Sequence, residues 1–145
     1  MPSRNEVLAA IVENRAQLQA VLHEAAPRWE TTPTSGDGEE AWSPRQVVEH
    51  MIGSEWYFVN HIAQACGAAA LEPPALDVST PAAAAATATR VGATSDNVLR
   101  QLSEPDLAKM RDMGRLGTQS VAWMLETMES HARDHLQQLK AAIEG

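Results

Sequence analysis

The chain has 145 residues, 44% of them hydrophobic, and its 11 Lys plus Arg against 19 Asp plus Glu leave a formal net charge of -8. That acidity repels phosphate backbones and argues against non-specific binding to DNA or RNA. No apolar run approaches the roughly 20 residues needed to cross a bilayer.

The length fits one domain over residues 1–145 with a sizeable core. The charged stretch MPSRNEVLAAIVENR offers no apolar segment for a secretory signal, so the expected location is the cytoplasm. Abundant alanine and scattered β-branched residues favour helix over sheet. The lone Cys66 excludes an internal disulfide and a multi-cysteine zinc site. At the end of an apolar helix it is expected to pack as a small hydrophobe.

The first predicted helix runs from Arg4 to Ala26. Val7, Leu8, Ile11, Leu18, Val21, Leu22 and Ala25 recur at three- and four-residue spacing, and Pro27 stops it. Thr31–Ala41, TTPTSGDGEEA, is turn-rich. A second helix opens at Ser43, a good N-cap, with Pro44 at the first helical position, where a missing N–H costs nothing. Val47, Val48, Met51, Phe58, Val59 and Ile62 form its apolar face, and Gly67 is its expected stop. After the irregular ALEPPALDVS, Thr80 and Pro81 repeat the cap-then-proline start for an alanine-rich helix to about Leu102. Between Ser103 and Gly117 the pattern is weak: SEPDLAKM suggests a short helical turn, and RDMGRLG gives no regular signal. The last helix is expected from Thr118–Ser120 to Ile143, with Val121, Met124, Leu125, Met128, Leu136, Leu139 and Ile143 facing inward. Four amphipathic helices predict an all-α four-helix bundle.

Histidines stand out against this frame. His131 and His135 are four apart, hence on one helical face, and with Val121 set at zero they fall at about 280° and about 320°, beside the buried stripe. His50 lies at the edge of the apolar face of the second helix, which could deliver it to the same point. Three neutral imidazoles would leave a divalent metal an open coordination position, the layout of a catalytic site. The same residues read equally well as core histidines, each with a hydrogen-bond partner. His23 reads as a helix-end residue and His61 as a candidate pocket residue. Glu55 falls within the apolar face of its helix, as Arg15 does on the first. The pair is expected to form a buried ion pair between neighbouring helices, or else Glu55 serves as a base or as a hydrogen-bond acceptor for a ligand histidine.

WSPRQVVEHMIGSEWYF, carrying Trp42, Ser43, Pro44 and His50, resembles the second-helix motif of the DinB-like (DinB/YfiT) metal-binding four-helix bundles. SHARDHLQQL, carrying His131 and His135, resembles their final-helix HxxxH motif. The order and separation of the motifs agree, and in length and layout the resemblance spans the whole chain. It implies that His50, His131 and His135 bind a divalent metal, zinc or nickel, with water completing the shell, and that the protein is a homodimer. Relatives so implied include thiol S-transferases using bacillithiol and a mycothiol-dependent maleylpyruvate isomerase.

The expected function is a metal-dependent thiol S-transferase that activates a low-molecular-weight thiol, such as bacillithiol or mycothiol, towards a small-molecule substrate. Glu55 is the candidate catalytic residue. His50, Glu55 and the loops Thr31–Ala41 and Leu71–Ser79 are expected to line the mouth of the site. A metal-dependent hydrolase using activated water and a non-catalytic, stress-associated binding protein are the alternatives.

Overall fold

In a computed structural model, which describes residues 3–34 and 36–144, the start of each of the first three helices is fixed by the residue before it. Ser35 of the turn-rich loop, together with Met1, Pro2 and Gly145, lies outside the described residues. Helix α1, Arg4–Leu22, begins with a capping box in which Ser3 Oγ accepts from Glu6 N–H and Glu6 reaches back to Ser3 N–H. Helix α2, Pro44–Ala65, repeats the device with Ser43 and Gln46 behind Pro44. Helix α3, Pro81–Leu99, is capped by Thr80. Helix α4 spans Val121–Glu144.

The ends of α1 and α3 fall short of the predicted ones. α1 stops at Leu22 rather than Ala26, and Ala26–Arg28 form a 3₁₀ turn. A proline lacks the N–H a helix needs and clashes with the carbonyl four residues back, so Pro27 ends the helix before itself. His23 is the C-cap, the helix-end position expected of it. α2 stops at the expected glycine, with Ala65 its last residue and Cys66 the C-cap: Gly67, at φ +92, lets Ala68 N–H bond Ala63 O at 3.0 Å and its own N–H bond Gln64 O at 3.0 Å. α3 ends at Leu99, short of Leu102, whose side chain is nonetheless buried in the core.

Between α3 and α4 the short helical turn expected in SEPDLAKM forms, and a hairpin that the sequence did not announce follows it. Glu104–Ala108 form a 3₁₀ turn, then Met110–Asp112 (β1) and Thr118–Ser120 (β2) pair antiparallel, with Arg111 opposite Gln119. Thr118–Ser120, expected to open the last helix, is therefore a strand, and α4 begins one residue later. Ser120 Oγ accepts Trp123 N–H at 3.1 Å, and Val121 N–H is taken by Lys109 O at 2.9 Å.

Around the bundle each helix packs against two others: α4 against α1 and α2, and α3 against the same two. α1 and α2 thus stand on a diagonal. The buried core divides into two clusters. One joins Leu18, Leu22, Val47, Val48, Met51, Leu136 and Leu139; the other joins Ile11, Phe58, Ile62, Val121, Met124, Leu125 and Met128. Among the described residues no helix is long and apolar enough to cross a membrane.

Candidate metal centre

The Ser43–Pro44 start sets the first turns of α2 against the C-terminal half of α4, where Val47 and Val48 share a core with Leu136 and Leu139. That packing brings three histidines to one point. His131 Nε2 lies 3.3 Å from His50 Nε2 and 3.2 Å from His135 Nε2. Each residue offers one ligand atom, all within 4.8 Å of one another. A tetrahedral site with metal–nitrogen bonds of about 2.0–2.1 Å places ligand nitrogens roughly 3.3 Å apart, so the observed edges fit such an ion.

The protonation pattern also fits. Gln138 Nε2 donates to the backbone carbonyl of Glu39, which can only accept. The amide orientation is thereby set, and Gln138 Oε1 faces His135 Nδ1 at 2.8 Å as an acceptor. His135 must then carry its proton on Nδ1, which leaves the Nε2 lone pair aimed at the other two rings. Burial, and after it the positive charge His135 can carry, hold the His50 imidazole below its ordinary value. His131 is lowered by burial, then by His135 and His50. Neutral rings present ligand lone pairs at neutral pH.

Three neighbours complete the surroundings: Trp42 of the start motif, Glu39 of the Thr31–Ala41 loop expected at the mouth, and Ser54, which no motif had marked. Trp42 stacks over His135 at 6.3 Å between ring centroids and lies 5.1 Å from the His50 ring. Glu39, on the 3₁₀ turn Gly38–Ala41, places Oε2 3.9 Å from His135 Nε2. Ser54 Oγ is 3.4 Å from His50 Nε2, one turn along α2. Ser54 shares the i,i+4 spacing that picked out the histidine pair; Glu39 sits in a loop with no periodicity to point inward.

Glu55 stands elsewhere. Its Oε2 accepts from Arg15 Nε at 2.8 Å, and Arg15 Nη1 reaches Asp96 Oδ1 at 2.9 Å. The expected ion pair exists, but it crosses the bundle diagonal rather than joining neighbouring helices. His61 does not line the cavity that Glu55 and His131 share; its Nδ1 accepts from Arg111 Nε at 2.9 Å and helps to dock the hairpin on α2. The Leu71–Ser79 segment also stays away from that cavity, held by Asn60, Trp56 and Thr87. Cys66 is half-buried at the C-cap of α2, and burial pushes its thiol up, away from thiolate.

The family model of the DinB superfamily matches residues 36–139, a span that includes Glu39 and all three histidines. The chain belongs to the DinB superfamily. A search of curated proteins finds no match to it. For this DinB-superfamily bundle the matched span begins after α1, so Arg15 and the first wall of the cavity lie outside it.

Proposed function

We propose that this protein is a divalent-metal-dependent thiol S-transferase, with His50, His131 and His135 holding a zinc or nickel ion. The observation that carries the reading is the convergence of three Nε2 atoms beside an apolar cavity that His131 and Ser54 also line. A divalent ion bound by three neutral ligands keeps its charge and, when present, favours the thiolate form of a coordinating low-molecular-weight thiol such as bacillithiol or mycothiol. The protein's own groups do the rest. Gln138 holds His135 in its ligand tautomer, Trp42 shields one side of the rings, and Glu39 is placed to accept the thiol proton. In the transfer the S–H proton is lost and sulfur bonds an electrophilic carbon. The bond from that carbon to its leaving group breaks, and the leaving group departs with the electron pair.

Glu39 also favours a second reading, metal-dependent hydrolysis with this carboxylate as base towards water. The test starts with metal content of untagged protein by plasma mass spectrometry, for wild type and His131→Ala. Near-stoichiometric metal, lost in the variant, is expected. Turnover of alkyl-halide electrophiles and of ester substrates is then measured with and without thiol. Thiol-dependent turnover supports the transferase, ester hydrolysis without thiol supports the second reading, and a metal-free wild type that reconstitution cannot load rejects both.

A further inference from the structure

The two clusters of the core leave between them an open-sided cavity of about 360 Å³ reaching all four helices. Its walls are apolar, with Ile11, Leu18, Met51, Phe58 and Met128 prominent. At one end the wall is His131 and Ser54, whose hydroxyl is 3.4 Å from His50 Nε2, so the space abuts the candidate ligands. Close-packed interiors leave few voids larger than a water molecule, whereas sites for small organic ligands start near 300 Å³.

The lining also carries charge. Arg15 lies between Glu55 and Asp96, one guanidinium against two carboxylates, a net charge of about -1 at neutral pH. Ile11, Arg15 and Asp96 also line a second groove on the outer side of α1 and α3, so the Arg15–Asp96 pair divides the cavity from that groove. Gly92 of α3 leaves room for the crossing: a Cβ there would meet Arg15 Cδ at 3.2 Å, so the guanidinium arm would have to shift. Asp96 is half exposed, with 53% of its side-chain surface accessible, so of the two ion pairs the one to Asp96 is the more solvent-facing.

We propose that this cavity is the binding site of the electrophilic co-substrate, and that the occupant is an uncharged, predominantly apolar small molecule admitted past the Arg15–Asp96 pair. Naming it an electrophile rests on the transferase reading; its size, polarity and charge rest on the cavity alone. A polar water-soluble thiol does not match apolar walls beneath a carboxylate excess, and the Glu39 side of the histidines is left for it. An anion is disfavoured by the same excess.

The test uses the whole metal-free chain, so a failure of the metal reading cannot affect it. Fluorescence titration with uncharged N-phenyl-1-naphthylamine is compared with the sulfonate 8-anilinonaphthalene-1-sulfonate. The expected result is saturable one-to-one binding of the neutral probe, with the anion at least about tenfold weaker. Asp96→Asn should narrow that ratio. Ala88→Leu and Ala132→Leu, which fill the cavity from α3 and α4, should each weaken the neutral probe at least about tenfold with an unchanged helical circular dichroism spectrum. If one of them does not fold, the other decides. No saturable binding, equal affinity for the two probes, or unchanged affinity in the folded filled variants would overturn the proposal.

Discussion

His135 donates its Nδ1 proton to Gln138 Oε1 at 2.8 Å, and that single bond determines which nitrogen faces the candidate metal position. Gln138 is itself held by the Glu39 carbonyl, so a loop and a helix jointly set one tautomer. Removing the acceptor lets the ring flip or carry its proton on the wrong nitrogen. Gln138→Leu is therefore expected to weaken metal binding about 10- to 100-fold, the usual effect of losing such a partner. Gln138→Glu, which keeps an acceptor, should lose far less. Competition titration against a chelator measures both, and equal affinities for wild type and Gln138→Leu would reject the role.

Acid should weaken the metal-free protein and its metal affinity together. His50 and His131 titrate below the ordinary value of about 6.5, chiefly because burial disfavours the imidazolium, and His61 is lowered by burial too. Between the folded and unfolded values the unfolded chain holds more protons, so stability rises with pH in that window. It is complete above about pH 6.5 and is lost as pH falls through the lower folded values. Urea midpoints of metal-free protein should drop between about pH 7.5 and about pH 5.5. The drop should shrink in His131→Ala, which removes one of the titrating rings. A drop of the same size in that variant would show that the histidine cluster is not its source.

The sequence revealed most of the fold because its strongest signals are local. Ser43, Pro44 and Gln46 fix the start of α2 within one turn, and from there His50 follows by helical geometry. The His131–His135 pair is likewise set by spacing on one helix. The Thr31–Ala41 loop was legible as a wall of the mouth, but Glu39 within it was not, because its approach depends on how an aperiodic loop folds back over α4. The Arg15–Glu55 pair was visible as two charges on apolar faces, but helix order around the bundle, which puts α1 and α2 on a diagonal, is a long-range property that no single-helix pattern contains. The hairpin was missed because strands of three residues are too short to display alternation.

What the hairpin does show in retrospect is its glycine. Gly117 sits at φ 75 and ψ -168, a region essentially restricted to glycine, where it ends the 3₁₀ turn Gly114–Leu116 and its carbonyl accepts Met113 N–H at 2.9 Å. Gly117→Ala is expected to cost about 1–3 kcal/mol of stability by urea denaturation. Metal content should be unchanged, because the hairpin docks near His61 and not at the histidine cluster. Wild-type stability in Gly117→Ala would mean that the turn re-forms in another conformation.

Glu55 is where structure and chemistry compete, and two substitutions separate them. Glu55 and Arg15 expose only 17% and 20% of their side-chain surface, so removing one partner strands a largely desolvated charge. Asp96 still holds the guanidinium, which lowers the cost below that of a fully orphaned pair. Glu55→Ala is expected to cost about 1–3 kcal/mol while leaving metal content intact. Glu55→Gln keeps an oxygen for Arg15 Nε and should recover part of that loss. In turnover assays under the transferase reading, Glu55→Gln should shift KM for the electrophile, because Glu55 lines the cavity, and change kcat by no more than a few-fold. A hundredfold fall in kcat with metal and stability retained would instead make Glu55 a catalytic residue, acting on the substrate from the cavity side of His131.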